Sequence, residues 1–340
     1  MELSAQMSFS NASCPEYQYT KIFIVWFSIF YSIICIVGIT MNTLGLYTIC
    51  KGMTKTTSTL LYLINLILAD LLFAIVLPLR IVYFAMGLNW KLGEIMCRLY
   101  GYLFYVNIYT SINFMVCISV DRCLAVFQPL ELHKFRKISF AKCVCVFVWI
   151  FTCATNGVIF FLPNIYIQNG TVALCMEISN VENNPKFSGQ ILTAVIFSYY
   201  IPFLILFCCY CCVGVKLCKL SRNPVSSSSG RSHRKSLRMV IAVLLVFIVC
   251  YTPYNITLTQ HMIKILRGNV SCDDKNSFKL YLQSTMSVMN LSFILDPFIY
   301  FASFKFQLSF LFKCRENESD INLSSASKKA SATEQNCSSD

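Results

Sequence analysis

Seven long apolar stretches, separated by polar segments, dominate the pattern of hydrophobic and polar positions along this chain. They cover approximately residues 22–50, 56–79, 99–120, 143–162, 188–215, 239–260 and 280–303. A helix needs roughly 20 apolar residues to cross a hydrocarbon core of about 30 Å. Each stretch reaches that length, so the sequence predicts an all-α membrane protein, a seven-transmembrane helix bundle. The spans are numbered one to seven in chain order below.

The polar segments between the spans predict which way the bundle faces. Lysine and arginine concentrate in the loops after spans one, three and five and after span seven. N-glycosylation sequons begin at Asn11 in the N-terminal tail, at Asn169 after span four and at Asn269 after span six. Basic loops stay in the cytoplasm, and glycans are added on the opposite side. Both signals predict a multi-pass plasma-membrane protein with an extracellular N-terminus.

Composition assigns nearly the whole chain to the bundle. The 340 residues are 56% hydrophobic and 13% charged, whereas soluble domains carry about 25% charge. The predicted domains are a glycosylated extracellular tail (1–20), the bundle (21–303), a C-terminal amphipathic interfacial helix (304–314) and a disordered cytoplasmic tail (315–340). The net charge of +12 then belongs to cytoplasmic loops beside membrane lipid, so nucleic acid is not an expected partner.

The sequence argues against catalysis and transport. A membrane enzyme needs a reactive cluster, and three histidines without an intramembrane His–Glu or Ser–Lys arrangement do not supply one. Many transporters consist of two related halves, whereas this chain has an odd number of predicted spans and no repeated half. We therefore expect no enzyme activity and no cofactor, apart from the ion considered below.

Span three ends in a charged pair, Asp121 and Arg122. The simplest interpretation is snorkelling of the charges to the inner interface. Adjacent charges on a helix point in different directions, however, so the arginine can pair with its neighbour in one state and with another partner in a second state. The pair resembles the end of the third helix in rhodopsin-like (class A) G-protein-coupled receptors, with Cys123 where that family usually has an aromatic residue.

Two further segments carry the same resemblance. Residues 296–300 are similar to the family's NPxxY motif, with aspartate in the first place, and residues 247–254 are similar to its FxxCWxP motif, with Tyr251 in place of tryptophan. The resemblance implies a ligand-biased rotation of span six about Pro253, which opens a crevice for a G-protein helix. The residues implied for this switch are Asp121, Arg122, Tyr210, Phe247, Pro253 and Tyr300. Core packing is the alternative role for each aromatic residue.

Cysteines and tail residues suggest covalent modifications. The family resemblance implies a disulfide between Cys97, at the outer end of span three, and Cys175 in the long second outer loop. Cys14 and Cys272 are also outside, where they form either a second pair or two free thiols. Cys314, at the end of the interfacial helix, is a candidate for palmitoylation. The tail serines are either a plain linker or phosphorylation sites for arrestin, an implied partner beside the G protein.

Four polar residues lie at matching depths of the predicted bundle: Asp70, Asn107, Ser111 and Asp296. A carboxylate in the middle of a membrane costs roughly 2.5 kcal/mol or more, so it needs a counter-ion or a proton. The resemblance implies that these four residues hold a sodium ion, and oxygen ligands suit such a hard cation. A protonated network linked by water is the alternative.

The outer half of the bundle is expected to determine the ligand. Its inward polar and aromatic residues should be Arg80, Tyr105, Tyr109 and Tyr254, although snorkelling to the outer interface is an equal alternative for Arg80. Span three has no acidic residue at this depth to pair with an ammonium group. A mostly hydrophobic ligand with a few hydroxyl groups therefore fits better than an amine.

A narrower resemblance supports that ligand class. Residues 77–87, 104–109 and 260–264 resemble the oxysterol-sensing chemotactic receptors of lymphocytes. The resemblance implies that the four residues of the outer half hold the hydroxyl groups of a sterol such as 7α,25-dihydroxycholesterol. It also implies an inhibitory-type G protein as partner and a role in immune-cell migration. A lysophospholipid or a nucleotide is the alternative ligand, because an arginine can equally hold a phosphate.

Overall fold

The computed structural model describes residues 19–52, 56–127, 135–161, 165–168, 172–176, 185–221 and 227–303. Among these residues, six helices are long and apolar enough to cross a membrane. They form spans one to six, and two shorter helices form span seven. The prediction of an all-α seven-span bundle from the hydrophobic pattern is confirmed.

Spans one to four are single helices. They are α1 Lys21–Gly52, α2 Ser58–Ala85, α3 Gly93–Phe127 and α4 Ile138–Phe161. The side chain of Thr57 caps α2 by accepting a hydrogen bond from the backbone N–H of Leu60. The predicted end of span two, at residue 79, is wrong, because α2 continues past Pro78 to Ala85. A proline removes one backbone donor but does not end a helix that neighbouring helices hold in place.

Spans five and six each contain one turn of π-helix. Span five is α5 Pro185–Val195, the π-turn Ile196–Tyr200 and α6 Ile201–Ser221, and span six is α7 Ser227–Val246, the π-turn Phe247–Tyr251 and α8 Thr252–Leu266. A π-turn inserts one residue into a helix and often lies at a functional site. Pro253 lies two residues after the turn in span six, so two irregularities occur together at the predicted hinge.

Span seven is interrupted near its middle. Helices α9 Cys272–Met289 and α10 Ser292–Ser303 are joined through Asn290 and Leu291. Helix α9 begins with a capping box, in which Ser271 and Asp274 exchange side-chain and backbone hydrogen bonds. The sequence predicted span seven at about residues 280–303; the structure begins it at Cys272 and adds the break. The predicted interfacial helix, 304–314, lies outside the described residues.

A β-hairpin lies over the outer ends of spans two and three. Its antiparallel strands are β1 Ile165–Gln168 and β2 Val172–Cys175. The backbone N–H of Trp90, in the loop between α2 and α3, donates to the carbonyl of Ala173 at 2.7 Å. A disulfide joins Cys175 to Cys97 of α3, with the two Cα atoms 5.8 Å apart. The hairpin is thus attached to the bundle by a hydrogen bond and a covalent bond.

The bundle buries aromatic side chains in its interior and presents other apolar side chains outward. Phe84, Phe114 and Phe247 are fully buried, whereas Ile75 and Phe147 are 70% and 65% exposed. A water-soluble protein would bury such residues, but a lipid bilayer is their preferred surroundings. This distribution agrees with the predicted membrane spans.

Spans one and seven approach each other most closely at Gly38 and Phe293. A Cβ atom added at Gly38 would lie only 2.1 Å from Cε1 of Phe293, whose ring is buried. We expect Gly38→Ala to destabilise the protein by about 1–3 kcal/mol, because the ring cannot leave the core without strain. Thermal unfolding of the detergent-solubilised protein measures the effect. Gly157→Ala is the matched control, since a Cβ atom there has no neighbour within 4 Å. Equal unfolding midpoints for the two variants would contradict this packing.

Candidate ligand pocket and signalling switch

Arg80 lies inside the bundle and not at its outer rim. Its side chain is 1% exposed, which rules out the snorkelling alternative. The guanidinium carbon lies 4.9 Å from the ring centroid of Phe84, 5.7 Å from that of Tyr83 and 5.8 Å from that of Tyr31. Cation–π attraction at such distances stabilises a desolvated guanidinium group. The extension of α2 beyond Pro78 creates this environment, because it keeps Arg80 within the packed part of the helix.

The hydrogen-bond partner of Arg80 is a neutral amide. Its Nη2 atom donates to Oε1 of Gln283 on α9, which is itself buried. No described carboxylate forms an ion pair with Arg80, and its Nε atom has no hydrogen-bond partner among the described residues. The sequence analysis missed Gln283, which lies 203 positions from Arg80 and matched no motif.

The three predicted tyrosines form a second group in the outer half. The hydroxyl groups of Tyr105 and Tyr254 are 3.3 Å apart, and the rings of Tyr105 and Tyr109 are stacked with centroids 6.2 Å apart. The charge of Arg80 acts on the hydroxyl groups of Tyr105 and Tyr100. The structure therefore brings the four predicted ligand residues into one region. Tyr100 was not predicted; its side chain is buried, and its hydroxyl group interacts with the guanidinium group of Arg80.

The four residues of the predicted ion site are all buried at mid-depth of the bundle. Asp70, Asn107, Ser111 and Asp296 are 1%, 9%, 1% and 0% exposed. The amide of Asn107 donates to the carbonyl of Ala69 at 2.9 Å. Oδ2 of Asp70, Oγ of Ser111 and both carboxylate oxygens of Asp296 make no hydrogen bond to a described residue. Buried oxygen atoms of this kind need a proton, water or a cation.

Tyr251 adds one more hydroxyl group near the carboxylates. Its side chain is fully buried in the π-turn of span six, and its hydroxyl group interacts with Ser292 of α10. The charges of Asp296 and Asp70 both act on it. The tyrosine that replaces the family's tryptophan thus places a polar group where the tryptophan motif has an indole ring.

The carboxylate of Asp121 links three elements at the inner end of the bundle. It accepts hydrogen bonds from Ser58 and Thr59 at the start of α2. It also pairs with Nη2 of Arg122 at 2.7 Å and with Nε of Arg136 at 3.5 Å. The sequence placed this pair at the inner interface. In the structure the side chain of Asp121 is 4% exposed and that of Arg122 is 16% exposed. Arg122 is held by its neighbour, as expected for one of its two predicted states.

Aromatic rings surround the predicted hinge of span six. The ring of Phe247 is fully buried and stacks on Tyr199 and Phe203 of span five, with centroids 5.4 and 6.1 Å apart. Tyr251 lies 5.6 Å from Phe247 on the other side. Rotation of span six would have to move these rings past one another, so the π-turn and the stack form one packing unit. Tyr210 lies half-buried on α6.

An ion pair joins spans six and seven at their outer ends. Nζ of Lys264 lies 2.6 Å from Oδ1 of Asp274. Hydrogen bonds from Lys264 and from Ser271 lower the pKa of the Asp274 carboxyl group to about 2. The carboxylate thus stays charged throughout the physiological pH range. The sequence analysis did not predict this pair.

Several predicted modification sites lie in or near this outer region. Asn269 is exposed in the loop before α9, where a glycan has room. Cys272 is disulfide-bonded, and Cys14, its predicted partner, lies outside the described residues. Asn11, Asn169 and Cys314 are outside them as well, as is the side chain of Tyr300 on α10.

Comparison with known proteins gives consistent matches over this architecture. The model of the 7 transmembrane receptor (rhodopsin family) matches residues 41–300. The chain is 37% identical to human G-protein coupled receptor 183 over 303 residues, which cover 88% of this chain and 83% of that receptor. It is 40% identical to G-protein coupled receptor 183-A of Danio rerio over 276 residues, or 81% and 75% of the two chains. It is 30% identical to a human purinoceptor over 275 residues, or 80% and 71% of the two chains.

Proposed function

Because the chain belongs to the rhodopsin family of seven-transmembrane receptors, we propose that it binds a hydroxylated sterol in the outer half of its bundle and signals through inhibitory-type G proteins. The family consists of G-protein-coupled receptors, so the chain is a multi-pass receptor of the plasma membrane and not an enzyme. A role in immune-cell migration and the binding of arrestin to the C-terminal tail belong to the same proposal.

The buried environment of Arg80 is the observation that supports this ligand class. Arg80 is the only buried lysine or arginine among the described residues, and aromatic rings surround its guanidinium group. A nucleotide with several phosphate groups would need more than one buried cation to offset its desolvation. A sterol would bury its rings against the apolar bundle and offer only one or two oxygen atoms. Arg80 and the paired hydroxyl groups of Tyr105 and Tyr254 match that requirement.

A phosphate-bearing ligand is the second candidate. The similarity to the human purinoceptor, whose name refers to purines, favours it, and a guanidinium group binds phosphate readily. A lysophospholipid would need one cation for its headgroup and an apolar cavity for its chain. A sterol would thus place no charge beside Arg80, whereas a phosphate-bearing ligand would place one or more negative charges there.

A G-protein activation assay in membranes of transfected cells tests the proposal. The probes are 7α,25-dihydroxycholesterol, lysophosphatidic acid and adenosine triphosphate, each measured against membranes without the receptor. We expect activation by the sterol alone, with sensitivity to pertussis toxin if the partner is an inhibitory-type G protein. Activation by the nucleotide or the lysophospholipid, with no response to the sterol at micromolar concentrations, would overturn the ligand assignment.

We also propose a sodium ion at the buried carboxylates in the resting state. The residues that would hold it are Asp70, Asn107, Ser111 and Asp296, whose unpartnered oxygen atoms suit a hard cation. No cluster of three or more histidine, cysteine, aspartate or glutamate residues that could hold a metal occurs among the described residues, so the set favours a weakly held monovalent ion over a transition metal. The bound ion would offset one of the two negative charges of Asp70 and Asp296 and restrain spans two, three and seven together.

Replacing one carboxylate should remove the sodium dependence. In 100 mM sodium chloride the ligand-free receptor is expected to unfold about 3 °C higher than in choline chloride, because an ion that binds only the folded state stabilises it. Asp70→Asn should abolish that difference, since the amide offers no negative charge. Thermal unfolding of purified protein at equal ionic strength measures both values. Identical midpoints for the unmodified receptor in the two salts would favour the protonated, water-linked alternative.

A further inference from the structure

Arg80 is bound to a partner that a ligand can replace. Arg80 and Gln283 are 1% and 2% exposed, so their hydrogen bond forms away from solvent. A neutral amide oxygen is a weaker partner for a guanidinium group than a carboxylate is. A buried guanidinium group whose Nε atom has no described partner is incompletely satisfied. A polar ligand group that reaches Arg80 would therefore compete with Gln283 for it.

A continuous chain of hydrogen bonds runs from Gln283 toward the middle of span seven. Oγ of Ser287 donates to the backbone carbonyl of Gln283 at 2.8 Å, and the hydroxyl group of Tyr31 lies 2.8 Å from the same Oγ. Nδ2 of Asn290 donates to the hydroxyl group of Tyr31 at 3.2 Å. Ser287 has one hydroxyl hydrogen, so Tyr31 must donate to it. All donors then point from Asn290 toward Gln283.

Two members of this chain lie at significant places in the fold. Asn290 caps the C-terminal end of α9 and begins the interruption of span seven. Tyr31 of α1 also presents its ring to the guanidinium group of Arg80, 5.8 Å from the ring centroid. Tyr31, Ser287 and Asn290 are all buried, so water does not compete for their hydrogen bonds. The network thus connects Arg80 on α2 with α1 and with the break in span seven.

We propose that Gln283 holds Arg80 in the ligand-free receptor and that the ligand displaces Gln283. Tyr31, whose ring faces Arg80 and whose hydroxyl group bonds Ser287 and Asn290, then transmits this exchange to the break in span seven. This inference rests on the proposed role of Arg80 as the ligand's polar anchor. Gln283 is then a residue that positions Arg80 and sets ligand affinity without contacting the ligand itself.

Two substitutions at Gln283 should differ in their effect on sterol affinity. Gln283→Glu replaces the amide by a carboxylate of the same shape and strengthens the competitor, so the affinity for radiolabelled 7α,25-dihydroxycholesterol should fall about 10-fold or more. Gln283→Leu removes the competitor, so affinity should stay equal or rise. Ser284→Ala is the control, because that hydroxyl group bonds only within its own helix, to the carbonyl of Leu280. Lower affinity in both Gln283 variants, or no change in either, would refute the competition.

A second measurement separates this inference from the ligand assignment. In the ligand-free receptor, Gln283→Leu should lower the thermal unfolding midpoint by about 3 °C or more, because it leaves a buried guanidinium group unpaired. In an Arg80→Met background the same change should have no further effect. If the sterol does not bind the unmodified receptor, the proposed ligand class is wrong, and affinity is remeasured with the probe that activates it. If the two thermal effects add, Gln283 does not hold Arg80.

The transmission step has its own readout. Tyr31→Phe keeps the ring beside Arg80 but removes the bonds to Ser287 and Asn290. We expect sterol affinity within about 3-fold of the unmodified receptor, together with raised G-protein activation in the absence of ligand. Unchanged basal activation at equal surface expression would show that the hydrogen bonds do not couple Arg80 to span seven.

Discussion

Arg122→Ala is expected to abolish G-protein activation while leaving ligand affinity nearly unchanged. The guanidinium group of Arg122 is held by Asp121 at 2.7 Å, at the inner end of α3 and far from the ligand residues of the outer half. Its Nε atom has no hydrogen-bond partner among the described residues, so part of its binding capacity is available to a second partner. Removing the cation removes the group that the active state is expected to offer to the G protein.

The measurement compares agonist-stimulated nucleotide exchange with binding of the same agonist. We expect exchange to fall about 10-fold or more, and affinity to remain within about 3-fold, at matched surface expression. Asp121→Asn is the informative counterpart. It keeps the shape but weakens the acceptor for Ser58, Thr59 and Arg122, so basal activation should rise. Loss of both binding and activation in Arg122→Ala would indicate misfolding and leave the switch to be tested by Asp121→Asn alone.

The pattern of apolar stretches was sufficient to predict the bundle but not the ends of its helices. Span two illustrates the reason. A charge at Arg80 after a proline resembles a membrane boundary, yet residues 81–85 are again apolar and α2 includes them. Hydropathy describes whether a residue prefers polar or apolar surroundings. It does not describe which side chains the fold places beside that residue. The aromatic rings of Tyr31 and Phe84 provide the surroundings that keep Arg80 inside.

Irregular backbone was the second feature that the sequence could not predict. The π-turns at Ile196–Tyr200 and Phe247–Tyr251 and the interruption at Asn290 leave the average hydropathy of their spans unchanged. They depend on how each helix packs on its neighbours, and that information is distributed over the whole bundle. The local signals were Pro202 and Pro253, each two residues after a π-turn, because a missing N–H predicts an irregular helix from the residue type alone.

The site residues likewise divide into those that the sequence identifies and those that only the fold identifies. Asp70, Asp121 and Asp296 are conspicuous because a carboxylate in an apolar stretch needs an explanation. Gln283 and Tyr31 are ordinary residues in their own helices, and they become functional candidates only through contacts across 203 and 256 positions of sequence. A run of hydroxyl residues at 56–59 was a usable signal for the partners of Asp121, although it also predicts a helix cap.

Arg80→Ala is expected to reduce the potency of the sterol about 100-fold, since a hydrogen bond to a buried charged group is worth about 1.5–3 kcal/mol. The variant also leaves the amide of Gln283 unpaired, but it does so with and without ligand, so that effect lowers stability and not potency. Arg80→Lys tests the geometry of the anchor. It keeps the positive charge but lacks the planar fork of donors, so we expect an intermediate loss of about 10-fold.

Concentration–response curves for G-protein activation by 7α,25-dihydroxycholesterol measure both Arg80 variants, and thermal unfolding shows whether each remains folded. Tyr105→Phe is the comparison variant at the second polar group of the pocket. It removes one hydroxyl group, which faces that of Tyr254 at 3.3 Å, and should lower potency by about 3–10-fold. Potency that is equal in all three folded variants and the unmodified receptor would place the sterol's polar groups elsewhere. A loss in Tyr105→Phe alone would assign them to the tyrosines, and Arg80 would then serve the packing of the outer bundle through its aromatic neighbours.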